Sequence, residues 1–235
     1  MVFLSIGFVY NSIFRRNMKY SVHIFGNFLM SKLLTVQFDS FIKTYGFYSR
    51  KMELSIEKGI SEGSLQLKRR NFYNYLIIRA RPLYKLINWF YTADPEKCKI
   101  KINLDHLLFF IHCIIYIGKG LGYRCFSHCK DALKILSGVW RGRVSMKLHT
   151  LANMIRRGEG IVVLRTFVDA DNYVALNREH AMICACFGHV TNIRHGSPYG
   201  SMRSWEDTEV INFGIMTLYS VLKQCIIERP NEIHL

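Results

Sequence analysis

The distribution of apolar and polar positions changes character near residue 68. Residues 1 to 65 mix apolar and basic residues with aromatics throughout and carry few turn signals. Segments such as Phe38 to Tyr48 have helical spacing there, but no chemistry-bearing motif stands out. Beyond Lys68-Arg69-Arg70 the pattern sharpens. Phe72 to Ile78 is rich in aromatic and β-branched residues, lies between the basic cluster and Pro82, and predicts a strand. Asp94-Pro95-Glu96 predicts a helix start, with Asp as cap and Pro at the first helical position. A second strand is expected over Cys113 to Ile117, running into Gly118-Lys119-Gly120-Leu121-Gly122, whose glycines permit a tight turn and close backbone approach. Helices follow over 124 to 137 and 144 to 157, the latter with Leu148, Leu151, Met154 and Ile155 on one face and Gly158-Glu159-Gly160 as its stop. Ile161 to Val168 predicts a third strand, Asp171 to Phe187 a helix closed by Gly188, and 205 to 227 a last helix.

Three strands interrupted by helices imply an α+β fold: a small, mostly antiparallel sheet flanked by helices. The sequence divides into an N-terminal extension, residues 1–67, helical in character and without a visible role, and a domain over residues 68–235. Met1 to Phe14 is uncharged, but Arg15 and Arg16 follow it where a signal peptide would place positive charge first. That run fits a buried helix, an interfacial anchor or the cut edge of a longer protein. It is shorter than the roughly 20 residues of a spanning helix. The uncharged runs Leu107 to Gly118 and Val210 to Leu222 read as buried core.

With 235 residues, 50% of them apolar and 21% charged, the composition is globular. The formal net charge is +15, which points to a polyanionic partner, nucleic acid ahead of an anionic membrane surface. Lys68-Arg69-Arg70, Arg79 to Arg81, Arg141-Gly-Arg143 and Arg156-Arg157 are placed to track a phosphate backbone, with Arg69 and Arg70 the first candidates. The seven cysteines are odd in number and irregular in spacing, so free thiols fit better than disulfides. Cys125, His128 and Cys129 have no matching second pair at zinc-knuckle spacing.

The chemistry gathers around Tyr116-Ile117-Gly118. In order along the chain stand Tyr75-Leu-Ile-Ile, Tyr116-Ile-Gly-Lys-Gly, Arg124-x-x-x-His128, Asn177-Arg178-Glu179, Thr191-Asn192 and Tyr199-Gly200. As a set, over residues 70 to 228, these strings resemble the GIY-YIG endonuclease superfamily, and within it the nuclease domain of the animal ankyrin-repeat and LEM-domain endonucleases. The first half-motif departs from the name: Tyr73-Asn74 precedes Tyr75. The 41 positions from Tyr75 to Tyr116 (116 − 75) exceed the minimal hairpin, a long insertion typical of that branch. Neither an ankyrin period of about 33 residues nor an evident LEM domain is present.

The resemblance implies an endonuclease that hydrolyses DNA, branched or otherwise structured, with Mg²⁺ or Mn²⁺, leaving 5′-phosphate and 3′-hydroxyl ends. Under that reading Glu179 is the metal ligand, since a hard ion keeps most of its waters and needs one carboxylate plus substrate phosphate. Tyr75 is the general base or water-orienting group and Tyr116 supports it, although Tyr73 shares its face by period two and competes for the role. Arg124 holds the scissile phosphate, and His128 orients a tyrosine or relays a proton. Asn192 fixes backbone near the site or reaches substrate, and Lys119 and Arg178 contact substrate. A catalytically inactive nucleic-acid-binding module on the same fold is the alternative, and nucleus and cytoplasm are equally open as locations.

Overall fold

The computed structural model describes residues 44–65, 71–93, 102–186, 188–194 and 196–233. Two compact units divide the chain, Met1–Lys43 and Thr44–Leu235, and the description below concerns the second. The expected helix start at Asp94 and the candidate cations Arg69 and Arg70 lie outside the described residues.

The second unit is α+β. Its elements in order are α1 (Tyr45–Ser61), β1 (Phe72–Arg79), α2 (Ala80–Ala93), α3 (Leu104–Cys113), β2 (Ile114–Gly120), α4 (Arg124–Leu136), α5 (Met146–Arg156), β3 (Ile161–Ala170), α6 (Asn172–Ala185), a 3₁₀ turn (Gly200–Ser204) and α7 (Asp207–Glu228). The sheet has three strands in the order β2-β1-β3, antiparallel at both junctions.

β1 is central and covered on both faces, so Tyr73 through Ile78 are all buried. That explains its near-continuous apolar run. Each fully buried isoleucine or leucine in it contributes about 1.5–3 kcal/mol. Tyr73, Tyr75 and Ile77 face one way and pack with Ile115, Cys125, Cys129, Ala132, Leu151 and Met154 of β2, α4 and α5. Asn74, one residue out of phase, faces the other way and donates from Nδ2 to the Ala175 carbonyl of α6, 2.8 Å away. A second cluster joins Met52 and Ile56 of α1 to Tyr173, Val174, Ala181, Trp205 and Phe213. The residues of α1 thus pack within this unit, ahead of the 68–235 domain expected from sequence.

Two differences from the sequence pattern have simple causes. Pro82, taken as a strand stop, stands in the first turn of α2, where a missing N–H removes no helical bond. β2 begins one residue later and ends three residues later than expected, because Lys119 and Gly120 continue the ladder opposite Asn74 and Tyr73. At the far end of β1 the register to β3 shifts between Phe72 and Asn74. There Phe167 and Asp169 take positive φ angles of 50° and 57°. The longest apolar helix, α7, is long and apolar enough to cross a membrane, yet most of its apolar stretch is buried inside the unit.

α7 fixes α6 at very short range. A Cβ on Gly214 would lie 2.0 Å from the Ala181 carbonyl oxygen, a backbone atom that cannot turn aside. Gly214→Ala is therefore expected to lower stability by about 2 kcal/mol or more, despite alanine's better helix propensity. Urea denaturation of the two proteins measures the difference; a neutral or stabilising result would refute this packing.

Candidate active site

The site forms where β2 leaves the sheet. In the β1–β2 register Tyr75 pairs with Gly118, and Ile77 pairs with Tyr116. Tyr75 and Tyr116 therefore project from the same face, with ring centroids 6.0 Å apart. Gly118 is required by this geometry: a Cβ there would meet the Tyr75 ring at 2.5 Å. The two candidate tyrosines on this face have different partners. Tyr73 lies over Gly120, donates from its hydroxyl to the Gly122 carbonyl at 2.7 Å and accepts from the Cys125 amide at 3.3 Å. Its hydroxyl is committed to holding the turn into α4. The Tyr75 hydroxyl points instead to His128 of α4.

The Tyr75 hydroxyl is 2.9 Å from Nε2 of His128, which sits one turn into α4 and packs edge-on against Tyr116 at 5.0 Å. Burial, then the Lys147 ammonium, lower the His128 pKa to about 4. The imidazole is neutral at pH 7, and its Nε2 stands within hydrogen-bond reach of both the Tyr75 hydroxyl and the Lys147 ammonium. Burial pushes the Tyr75 phenol well above its ordinary value, Tyr116 adds to this, and the Arg124 charge opposes it. Tyr116 is likewise raised, chiefly by burial and then by the Glu179 charge. Arg124 opens α4 and is exposed, with its guanidinium near enough to both phenols and to Glu179 to act on all three.

Glu179 comes from the opposite side, on α6. That helix is capped by Asp171, whose side chain accepts from the Tyr173 amide at 2.7 Å. Burial raises the Glu179 carboxyl, while the Lys119 ammonium, the Lys119 backbone amide and Arg124 pull it down. Lys119 is out of phase with the tyrosines, so its side chain turns toward α6 and donates to Oδ1 of Asn172 while lying 4.4 Å over the Phe72 ring. Asn192 does its work on backbone: Nδ2 donates to the Ile117 carbonyl at 2.7 Å and Oδ1 accepts from the Ile117 amide at 3.1 Å. With Thr191, whose amide donates to the Ile115 carbonyl at 2.8 Å, it closes the outer edge of β2 as a fourth strand would. Of the two uses open to Asn192, the structure displays the positioning one.

One expectation is corrected. Arg178, expected to contact substrate, has a largely buried side chain paired to Glu53 of α1 at 3.4 Å and stacked 4.6 Å over Phe167. It ties α1 to α6. The exposed arginines 79, 81, 141, 143, 156 and 157 are available to a polyanion. Cys125 and Cys129 are buried in the apolar cluster, with the Cys129 thiol raised to about 11 by burial. Two participants carry no motif. Asn74 was visible as a polar residue inside an apolar run. Lys147 gave no sequence signal, yet its ammonium lies 3.2 Å from His128 Nε2 and 4.0 Å from the Tyr116 ring centre.

This donor set bears on what metal the site suits. Among the described residues no three His, Cys, Asp or Glu side chains converge, so a protein cage of the zinc or calcium kind is not built. A single half-buried carboxylate beside two cations suits a hard ion that retains waters and takes its other oxygens from a phosphate.

The family model for the LEM-3-like GIY-YIG domain covers residues 72–235. The chain belongs to that family. No curated protein and no solved structure gives a significant match. The domain is of nuclease type and its substrate class is nucleic acid. α1 precedes the matched region and packs against it.

The half-buried histidines give the fold a pH dependence. His128 and His112 each have a folded pKa near 4, against about 6.5 unfolded. Between those values the unfolded chain binds protons that the folded chain refuses, so stability rises as pH rises from 4 to 6.5. Urea midpoints across that range are expected to climb, and His128→Gln to climb less steeply than wild type. Equal slopes would contradict the burial described for His128.

Proposed function

We propose that this chain is an endonuclease that hydrolyses phosphodiester bonds in DNA, preferring branched or otherwise structured DNA, with Mg²⁺ or Mn²⁺ held by Glu179. The observation that carries the proposal is the convergence on one end of the sheet of Tyr75, Tyr116, His128 and Arg124 from one face with Glu179 from the other. The bound ion would acidify a water and neutralise phosphoryl charge.

The protein's own groups serve the attacking water and the phosphate. A phenol raised far above its ordinary pKa does not wait as a phenolate, so Tyr75 orients the attacking water, whose proton passes to solvent, while His128 holds the hydroxyl in place. Tyr116 packs against both partners and limits their rotation. Arg124, exposed at the start of α4, binds a non-bridging phosphoryl oxygen and offsets charge developing there. Asn192 holds the strand that carries Tyr116 and Gly118, so its removal disturbs geometry rather than removing a reacting group.

A basic chain with exposed arginines meets an extended polyanion readily. Labelled branched and linear DNA, incubated with Mg²⁺ or Mn²⁺ and with EDTA, tests the reading. Cutting by the wild type is expected to disappear in EDTA and to fall at least about 100-fold in Glu179→Gln and in Tyr75→Phe at matched thermal stability. Binding without cutting, under either ion, would instead mark a catalytically inactive nucleic-acid-binding module.

A further inference from the structure

The turn between β2 and α4 shows two large apolar side chains to water. Leu121 is 50% exposed and Tyr123 80% exposed, on either side of Gly122, which takes a positive φ of 57°. Single exposed apolar residues are ordinary on a protein surface, but this pair does not sit on a loose loop. Tyr73 bolts the turn from below, donating to the Gly122 carbonyl at 2.7 Å and accepting from the Cys125 amide at 3.3 Å. A buried tyrosine thus holds an exposed one in place.

Arg165 of β3 stands beside this turn. It pairs with Tyr75 across the sheet, so its side chain leaves on the face of Tyr75. There its guanidinium carbon lies 5.2 Å from the Tyr73 ring centre, 5.4 Å from that of Phe126 and 5.9 Å from that of Tyr123. Arg165 is nonetheless exposed, and among the described residues it forms no ion pair with a carboxylate. Arg124 follows Tyr123 directly, with Cα atoms about 3.8 Å apart. The turn therefore presents a flat ring with two arginines beside it.

Building on the proposed cleavage reaction, we infer that Tyr123 and Arg165 form a binding site for one unpaired nucleobase beside the scissile phosphate. The base stacks on the face of Tyr123 that Arg165 does not cover, while Arg124 and Arg165 meet phosphates of the same strand. Such a surface takes any base, because every base has a π face. A base inside an uninterrupted duplex stays in its own stack and does not reach it without the cost of extrusion. The site therefore favours DNA with an unpaired nucleotide at a junction. Two exposed guanidinium groups suit a phosphate strand better than an apolar protein surface, which would have to bury them unpaired.

The test uses the full chain and two labelled DNAs of equal length, an uninterrupted duplex and a fork with 2-aminopurine at its first unpaired position. Binding is measured in EDTA, where no turnover is needed, beside a thermal melt of each variant. The wild type is expected to bind the fork more tightly and to quench the 2-aminopurine. Tyr123→Ala is expected to weaken fork binding about 10-fold, to lose the quenching and to leave duplex binding unchanged. Tyr123→Trp is expected to keep both, and Arg165→Gln to reduce the salt dependence of fork binding by about one phosphate contact. A wild type without preference for the fork, or fork and duplex binding that fall together in Tyr123→Ala, overturns the base site. So does a folded Tyr123→Ala protein with fork binding and quenching unchanged, which would leave the ring to a protein partner. An unaltered salt dependence in Arg165→Gln removes Arg165 from the site. With Mg²⁺ or Mn²⁺ added, a wild type that stacks the base but never cuts overturns the nuclease reading and leaves the base site standing.

Discussion

The ring of Tyr75 fills the space that a side chain on Gly118 would need, and the arrangement of the site depends on that contact. Two neighbouring strands are 4.7–4.9 Å apart, too close for a tyrosine to lie across its partner unless the partner is glycine. With glycine there, the ring lies across β2, 1% exposed, with its hydroxyl against His128. Gly120 repeats the arrangement for Tyr73, whose hydroxyl is spent on the turn into α4. One tyrosine thus builds the loop that presents Arg124, and the other is left for chemistry.

The opposite face of the same strands supplies the acidic half of the site. Asn74 pins α6 to β1, Lys119 reaches Asn172 at the start of α6, and Gly214 lets α7 press on the back of that helix. Glu179 is positioned by packing and backbone bonds, not by a mobile loop. α1 adds to this by pairing Glu53 with Arg178, the residue beside Glu179. Close approach of backbone on one side and of a cation pair on the other is how this domain holds a carboxylate half-buried without neutralising it with a single partner.

Much of this was legible in the residues. Period and punctuation gave the three strands and the helices α4 to α7, because a fully covered central strand must be apolar throughout and α5 must show a one-sided stripe. The order of Tyr75, Tyr116, Arg124, His128, Glu179 and Asn192 brought the site into view through resemblance, and five of those side chains meet at the end of the sheet while Asn192 braces it. What stayed hidden depends on three-dimensional proximity. Arg178 looks like a substrate contact beside Glu179, but successive helical residues point about 100° apart, and it meets Glu53, 125 positions away. Lys147 is one lysine among many in a basic chain until α5 folds back over α4. Pro82 reads equally well as a strand stop and a helix start.

The central claim is that the carboxylate of Glu179 and the phenol of Tyr75 face a single ion and a single scissile phosphate. Crystals of the full chain grown with Mn²⁺ and a short DNA, examined by anomalous diffraction, test it directly. One Mn²⁺ peak within coordination distance of a Glu179 oxygen, with a phosphate between it and Arg124, is the predicted result. A Mn²⁺ ion bound elsewhere, with Glu179 still held only by Lys119 and Arg124, would contradict the account.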